Sequence, residues 1–334
     1  MPTIKEVAKR AKVSVGTVSN VIGGRVPVSD RLRNRVLEVI AKLDYHPNFV
    51  ARSLKIRQTK MIGIVVSDIT NPFFTQMVRG AEEAAWQKSY TLIIFNSDER
   101  LERERQVIAA LRARRVDGIL LVAASGSEHG HIRAVRDAGI PVVCVDRELA
   151  GLGLDCAVVD NFSGARDCVA HLIGLGHRRI GMLNGDTELP MAGQRQAGYQ
   201  QALKDAGLDY DASIVANLGV RTEDGYRAAQ RVLGCEPRPS AIFTGNAMIA
   251  MGLLQALRDA GLRCPEDVAI ATFDDPIYLE ALRPSMTAVA QPAYELGRRG
   301  FELLLERIDE PARKRTRIVL ETHLIVRESS GKVA

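Results

Sequence analysis

From Met61 onward, charged and amide side chains recur directly after short apolar stretches of the sequence. The residues placed in this way are Asn71, Asp146, Arg147, Asp160, Asn161, Asn246, Asp274, Asp275 and Gln291, and Arg195 opens a helical stretch. Parallel sheets bind ligands at the carboxyl ends of their strands, so these groups are positioned to hydrogen-bond one small polar ligand. Each residue also has a structural alternative, because Asp or Asn after a strand often caps the next helix and an Asn-Pro pair often only forms a turn.

The sequence carries none of the common catalytic motifs. It has no Gly-x-Gly-x-x-Gly fingerprint between a strand and a helix, no phosphate-binding loop of the Walker type and no nucleophile elbow around a serine. The six histidines are scattered apart from His129 and His131, and no cysteine lies within metal-ligand spacing of another. We therefore expect a protein that is not an enzyme and that uses no cofactor and no metal.

The cysteine content and the hydropathy pattern bear on location. Five cysteines are an odd number, which fits a reduced intracellular protein better than a disulfide scaffold. The sequence has neither a signal peptide nor an apolar run of membrane-spanning length. We expect a cytoplasmic protein with no membrane partner.

Strand-like and helix-like stretches alternate along the same part of the chain. The predicted strands are 62–66, 91–95, 118–122, 142–145, 180–183, 241–243, 268–273 and 287–290, and a further strand-like stretch covers 318–326. The predicted helices are 74–88, 101–115, 131–138, 164–175, 193–206, 223–233, 249–260 and 294–308. Such alternation indicates an α/β fold, and the length is enough for two doubly wound parallel-sheet lobes.

The first 60 residues differ in charge from the rest of the chain. They carry 13 Lys and Arg against 4 Asp and Glu, whereas the other 274 residues carry 32 against 36, within a net charge of +5. A basic segment joined to a mildly acidic body is typical of a module that binds a polyanion. A solvated basic face with no partner would have the same composition.

Apolar spacing predicts three short helices in this basic segment. Thr3-Ile4-Lys5-Glu6 has the form of a capping box at the start of the first helix. A second apolar-periodic run follows a short break, extends from Val15 to Ile22 and ends at two glycines, and Ser29 begins a third helix. Two short helices joined by a tight turn form a helix-turn-helix unit, so an all-α domain of three helices is expected before the lobes.

The head resembles a known DNA-binding module. Its matching segments are Thr3–Ala8, Val13-Ser14, Thr17–Ser19, Val28-Ser29, Tyr45, Pro47-Asn48 and Ala51–Leu54, and they resemble the DNA-binding head of the lactose/galactose repressor (LacI/GalR) family. The resemblance implies that the second helix enters the major groove, with Val15, Gly16, Thr17 and Asn20 near base edges and with Thr3, Ser14 and Ser19 near phosphates. Asn20 is polar and can pair with adenine through its amide.

The segment after the head matches the hinge of that family. The resemblance places Asn48, Ala51, Leu54 and Lys55 at the DNA, where the hinge folds in the minor groove and a leucine wedges into a central base step. Leu54 matches the wedge position, and Lys55 adds diffuse attraction to phosphates. The alternative is that Leu54 merely packs against the body.

From about residue 61 to 329 the chain resembles the type I periplasmic sugar-binding fold used by the same family. The resemblance assigns the effector pocket to nine residues, which are Asn71, Phe73, Phe74, Asp146, Arg147, Arg195, Asn246, Asp274 and Gln291. A small polyol suits this set, because charged and amide groups bond adjacent hydroxyls and aromatic faces cover the C–H surface. A pentose such as ribose is the implied effector.

The resemblance also implies domain boundaries and partners. We expect a helix-turn-helix head at 1–46, a hinge helix and linker at 47–60 and a body at 61–329, with one lobe at 61–161 and 291–318 and the other at 162–290 and 319–329. Because one head offers few base contacts, a homodimer on a palindromic operator in double-stranded DNA is expected. Its contacts are expected from the body, through helices such as 74–88 and 249–260.

We expect a dimeric repressor of sugar-metabolism genes. A small sugar is expected to modulate its binding to the operator. Three alternatives remain open at this point. One is an architectural DNA-binding protein with a vestigial pocket, the second is a purine-type repressor that requires a corepressor, and the third is an enzyme of sugar metabolism that is basic at one end.

Overall fold

A computed structural model of the chain describes residues 2–23, 27–45 and 58–331, and it divides into two compact units, Met1–Thr59 and Lys60–Ala334. The hinge residues Asn48, Ala51, Leu54 and Lys55 lie outside the described residues. Their expected contacts with DNA therefore remain predictions. No helix in the described ranges is both long enough and apolar enough to cross a bilayer.

The first unit contains the three predicted helices, α1 (Ile4–Ala11), α2 (Val15–Gly23) and α3 (Asp30–Lys42). The capping box is confirmed: Thr3 Oγ1 accepts a hydrogen bond from the Glu6 amide at 3.3 Å, and the Glu6 carboxylate accepts one from the Thr3 amide at 2.7 Å. Ser14 caps α2, since its Oγ accepts a hydrogen bond from the Thr17 amide at 3.0 Å.

Apolar side chains from all three helices form one core in this unit. The buried members are Val7, Ala8, Ala11, Val18, Val21, Val36 and Tyr45. Val18 and Val21 thus fix the face of α2 that points inward, and the opposite face of this helix is left to solvent. An all-α three-helix head is confirmed.

The first lobe of the second unit is built on a six-stranded sheet in which every pairing is parallel. Its strands are β1 (Met61–Val66), β2 (Thr91–Asn96), β3 (Gly118–Leu121), β4 (Val142–Val145), β5 (Asp155–Val159) and β11 (Arg317–Leu320), in the order β2-β1-β3-β4-β5-β11. Its helices are α4 (Pro72–Gln87), α5 (Leu101–Ala113), α6 (Gly130–Asp137) and α12 (Ala293–Asp309). Apolar clusters cover both faces of the sheet, as a parallel sheet requires.

The second lobe repeats this arrangement. Its strands are β6 (Ile180–Asn184), β7 (Val215–Asn217), β8 (Ala241–Thr244), β9 (Ala269–Phe273), β10 (Thr287–Ala290) and β12 (His323–Ile325), in the order β7-β6-β8-β9-β10-β12, and only β12 is antiparallel to its neighbour. Its helices are α7 (Asn161–Gly174), α8 (Pro190–Asp205), α9 (Thr222–Leu233), α10 (Ala247–Asp259) and α11 (Tyr278–Ala281), with 3-10 turns at Ala212–Ile214 and Glu328–Ser330.

The chain passes between the lobes three times, after β5, after β10 and after β11. The two doubly wound α/β lobes are confirmed, although β5, β7 and α11 are not among the predicted elements. The strand-like stretch 318–326 is not one strand: it divides into β11 and β12, which belong to different sheets. The predicted lobe boundary at residue 318 therefore falls inside β11.

A close helix crossing fixes one side of the first lobe. A Cβ atom on Gly80 of α4 would lie 1.9 Å from the backbone oxygen of Tyr294, and one on Gly297 of α12 would lie 1.8 Å from that of Met77. Both positions require glycine, because the two backbones touch there. The crossing holds the amino-terminal end of α4, which carries three of the nominated pocket residues, near the start of α12.

Candidate functional site

A cavity lies between the two lobes, where the carboxyl ends of both sheets meet. Its empty volume is about 480 Å³, part of it open to solvent. The structure brings all nine nominated residues to its lining, which are Asn71, Phe73, Phe74, Asp146, Arg147, Arg195, Asn246, Asp274 and Gln291. Six further lining residues were not predicted, and these are Asp68, Glu99, Met191, Val220, Arg221 and Met248.

Two aspartates occupy equivalent places in the two lobes. Asp146 follows β4 directly and Asp274 follows β9 directly, and both have a φ of 69°. Both side chains are buried. Burial raises the pKa of Asp146 to about 6, against the charges of Arg147 and Arg195, and burial likewise raises the pKa of Asp274. Hydrogen-bond donors on a ligand would stabilise these buried carboxylates.

Arg195 in α8 is held in place by groups of the second lobe. Its Nε donates to Oδ1 of Asn161 at 2.8 Å, and its Nη1 donates to the backbone oxygen of Gly245 at 2.5 Å. The guanidinium lies 3.8 Å from the ring centroid of Phe273. Burial lowers the pKa of Arg195 despite the charges of Asp274 and Asp146. The arginine is therefore fixed before any ligand arrives.

Arg147 is held by Glu99 in the first lobe. Its Nη1 and Nη2 donate to the two carboxylate oxygens of Glu99, both at 2.7 Å, and Nη1 also donates to the backbone oxygen of Ala123 at 2.7 Å. Burial alone lowers the pKa of Arg147, but the carboxylates of Glu99, Asp146 and Glu104 together outweigh burial, and the net shift of that pKa is upward. Glu99 was not predicted to line the pocket. Its position shortly after β2 is the sequence feature that could have identified it.

Several polar atoms at the cavity are buried without a hydrogen bond. Within the described part of the chain, the side-chain atoms in this state include Asp146 Oδ1, Arg147 Nε and Gln291 Oε1. All three residues line the cavity. Unpartnered buried polar atoms are uncommon in folded proteins, because each one loses its hydrogen bonds to water. Asp146 Oδ1 and Gln291 Oε1 are thus acceptors left for a ligand, and Arg147 Nε is a donor without a hydrogen bond, 3.6 Å from Asp146 Oδ2.

For the two asparagines, the structural alternative also holds. Asn71 caps α4 by accepting a hydrogen bond from the Phe73 amide at 3.0 Å, and Asn246 caps α10 by accepting one from the Ile249 amide at 2.7 Å. Both residues nevertheless line the cavity. They combine a helix cap with a place in the pocket wall.

Phe73 and Phe74 belong both to the apolar core of the first lobe and to the wall of the cavity. The rings of Phe73 and Phe74 lie edge to face at 5.1 Å, and both side chains are part of the apolar core of the first lobe. They line the cavity as well, where they offer an apolar surface. Gln291 donates a hydrogen bond from its Nε2 to Asp274 Oδ1, which ties the segment before α12 to the second lobe.

In the first unit, the expected DNA-contacting residues lie on the outer surface. Val15, at the start of α2, is 41% exposed although it is apolar, and Gly16 and Ser19 are also exposed. Thr17 and Asn20 are partly buried. Thr3 and Ser14 are exposed and cap the amino termini of α1 and α2, where free backbone amides favour a phosphate. These residues form a surface that the core does not use.

Comparison with known proteins gives consistent matches for both units. Residues 3–48 match the family described as bacterial regulatory proteins, lacI family, and residues 169–330 match a periplasmic binding protein-like domain. The chain is 35% identical over 329 residues to the ribose operon repressor of Haemophilus influenzae, covering 98% of each protein. It is 35% identical over 330 residues to the transcriptional repressor PurR of Klebsiella pneumoniae, covering 98% of this chain and 97% of PurR.

Solved structures resemble the chain at full length and in the body. A lac repressor dimer bound to operator and the anti-inducer ONPF has a TM-score of 0.86 and 25% identity, covering 99% of each chain. A LacI family regulator from Enterococcus faecium with bound ribose has a TM-score of 0.75 and 28% identity, covering 82% of this chain and 100% of that one.

Proposed function

The chain belongs to the lacI family of bacterial regulatory proteins and is a DNA-binding transcriptional regulator, and we propose that a small pentose-like sugar between its lobes controls repression of sugar-metabolism genes. The observation that carries the proposal is the set of unpartnered buried atoms, Asp146 Oδ1, Arg147 Nε and Gln291 Oε1. A sugar hydroxyl both donates and accepts, so adjacent hydroxyls satisfy a mixture of acceptors and donors.

The rest of the lining supports the same ligand class. Phe73 and Phe74 offer an apolar surface suited to the C–H groups of a sugar. The ribose operon repressor among the relatives and the ribose-bound regulator among the solved structures point to a pentose. We assign no enzymatic activity to the chain, and we place the protein in the cytoplasm because operator DNA is its proposed partner.

A thermal-shift screen tests the ligand. We expect D-ribose to raise the melting temperature of the protein by mass action, with a stabilisation of about 2.7 kcal/mol when ribose is at 100 times its dissociation constant. Other pentoses, hexoses, hypoxanthine and guanine complete the screen. A shift with the purines and none with any sugar would support the purine-type alternative instead, and no shift with any compound would support a vestigial pocket.

We propose that the protein binds a palindromic operator as a homodimer, as the lac repressor does in its operator complex. Exposed apolar side chains are candidates for the dimer contact. Trp86 on α4 is 76% exposed, Ile94 on the edge strand β2 is 47% exposed and Ile277 beside α11 is 89% exposed. Large exposed apolar groups often mark a protein interface. Of these three, Trp86 lies on the helix at 74–88 that the sequence nominated.

The proposed control is a linkage between the sugar and the operator. Binding energies at the two sites are coupled by typically about 1–3 kcal/mol in such systems, and the coupling is reciprocal. We propose that the sugar weakens operator binding, in keeping with induction of genes for its own use. Saturating ribose should then raise the operator dissociation constant by about 5- to 150-fold.

Replacing Asn20 with alanine should weaken operator binding by about 10- to 100-fold, because a good amide contact to an adenine edge contributes about 1–3 kcal/mol of discrimination. The operator is first selected from a library of palindromic double-stranded DNA, and binding is followed by fluorescence anisotropy. Asn34→Ala, the same change at an exposed position of α3, serves as the control. Equal affinity of the Asn20→Ala and Asn34→Ala variants would remove Asn20 from the DNA contact.

A further inference from the structure

We infer that Glu99 decides the charge of the ligand that the cleft accepts, so that uncharged sugars bind and phosphorylated or carboxylated sugars are rejected; the inference rests on the function proposed for this cleft. Glu99 bonds both Nη atoms of Arg147 at 2.7 Å. Its side chain is 18% exposed and lines the cavity together with Arg147. The carboxylate therefore occupies the edge of the guanidinium on which an anionic group of a ligand would bind.

The other two arginines of the lining do not replace Arg147 as an anion site. Arg195 is buried, and its Nε and Nη1 already donate to Asn161 and Gly245. Arg221 is exposed at the rim, and its Nη2 donates to the backbone oxygen of Asp98 at 3.2 Å. Each of the three arginines already donates to the protein through at least one Nη atom, so none of them offers both Nη atoms to an anion.

Taken together, the charged residues of the cavity lining also disfavour the binding of an anion. The carboxylates are Asp68, Glu99, Asp146 and Asp274, and the guanidiniums are Arg147, Arg195 and Arg221. Acidic groups thus exceed basic groups by one, and removing the charge of Glu99 would balance them. Like charges in a partly buried site repel strongly because water screens them poorly there. An uncharged sugar does not experience this repulsion.

The local backbone fixes Glu99 in this position. Asp98 and Glu99 have φ values of 55° and 57°, so two consecutive residues other than glycine are left-handed. Such a conformation persists only where surrounding contacts hold it. Asp98 accepts hydrogen bonds from Asn96 and Arg103, and its backbone oxygen accepts one from Arg221. The loop after β2 is therefore built to direct the Glu99 side chain at Arg147.

The test compares D-ribose, D-ribose 5-phosphate and inorganic phosphate, by calorimetry and thermal shift, on the wild-type protein and three variants. Glu99→Gln removes the charge but keeps an acceptor for Arg147, and Glu99→Asp keeps the charge. Glu102→Gln makes the same change in charge at an exposed residue of α5. The melting temperature of each variant without ligand reports whether it folds.

We expect the wild-type protein to bind D-ribose at least about 100-fold more tightly than D-ribose 5-phosphate, and Glu99→Gln to lower the dissociation constant for ribose 5-phosphate or inorganic phosphate by about 10-fold or more. Glu102→Gln and Glu99→Asp should keep the wild-type preference. A wild-type protein that binds both sugars equally would overturn the inference even if Glu99→Gln does not fold. A folded Glu99→Gln protein that gains neither anion would also overturn it.

The outcomes separate this inference from the proposed function. If the wild-type protein ignores D-ribose but Glu99→Gln still gains affinity for an anion over Glu102→Gln, the ribose assignment fails and the role of Glu99 stands. If the wild-type protein binds D-ribose and no variant changes its preference, the proposed function stands and the role of Glu99 fails.

Discussion

Replacing Arg195 with methionine should abolish the response to the effector and leave operator binding intact. Methionine keeps an apolar chain against the ring of Phe273 but removes the donors to Asn161 and Gly245. It also removes the cation that offsets the burial of Asp274, and it leaves Asp146 with the charge of Arg147 alone. Removing one partner of a buried charged group costs about 2–5 kcal/mol of binding energy, so the effector affinity should fall by about 30-fold or more.

The same variant should lose about 3–5 kcal/mol of unfolding free energy, because it leaves the buried carboxylate of Asp274 without its opposing charge. This loss should depend on pH. Burial raises the pKa of Asp146 from its ordinary value of 3.8 to about 6, so the stability contributed by its protonated form is complete below pH 3.8 and disappears as the pH rises through about 6. Without Arg195 the ionised form is still less favourable, so the destabilisation should be larger at pH 8 than at pH 5.

Arg166→Met provides the matched control, since Arg166 is an arginine of α7 outside the cleft, with a side chain that is 41% exposed and pairs with Asp167. Denaturant unfolding at pH 5 and pH 8, calorimetry with D-ribose and anisotropy with the operator give the three readouts. A normal ribose response in the folded Arg195→Met protein would exclude Arg195 from the effector site. Loss of operator binding in the absence of ribose would contradict the separation of the two functions.

Elements with a regular apolar pattern could be predicted from the sequence, whereas β5, which begins with a buried charge, could not. β5 begins at Asp155, which is buried and whose carboxylate oxygens accept hydrogen bonds from Arg307 at 2.8 and 3.0 Å. A charged residue at the start of a short stretch predicts a loop. The ion pair that makes its burial possible joins residues 152 positions apart, so local sequence gives no sign of it.

The second failure concerns the last two strands. Ile318 to Val326 reads as one apolar stretch, but β11 joins the first sheet and β12 the second. Hydrophobic periodicity indicates that a segment is extended, but it does not indicate which sheet the segment joins. The stretch is divided because the chain crosses from the first lobe to the second between β11 and β12. This crossing depends on the packing of the two lobes.

At the candidate site, too, the features that depend on local sequence could be predicted, and the contacts between residues distant in sequence could not. The nine nominated residues line one cavity because the carboxyl ends of parallel strands meet at one edge of each sheet. Glu99 also follows a strand, but its importance lies in Arg147, 48 positions away. Asn161 likewise contacts Arg195, 34 positions away, through the packing of α7 against α8. Sequence position identified the pocket wall, and it did not identify the partners that orient it.

A direct contact between the lobes gives a test of closure. Gly126 lies in the loop after β3 of the first lobe, and a Cβ atom there would be 2.1 Å from the backbone oxygen of Glu188 in the second lobe. That oxygen belongs to the main chain, so a side chain at position 126 would force the lobes apart. Arg221 and Asp98 make a second contact between the lobes nearby.

Replacing Gly126 with valine should weaken D-ribose binding by about 10- to 100-fold, because displacing groups from both lobes by even about 1 Å is enough to disrupt a set of oriented hydrogen bonds. Asp146 and Arg147 come from the first lobe, and Arg195 and Asp274 come from the second. Both pairs can hydrogen-bond the same sugar only when the cleft is closed. Calorimetry gives the affinity, and small-angle X-ray scattering gives the change in radius of gyration on adding ribose. Gly130→Val is the control, since a Cβ atom there meets no atom within 4 Å. If the Gly126→Val protein closes on ribose and binds it as tightly as the control does, then the cleft functions without this contact, and the lobes do not need to approach as closely as the structure indicates.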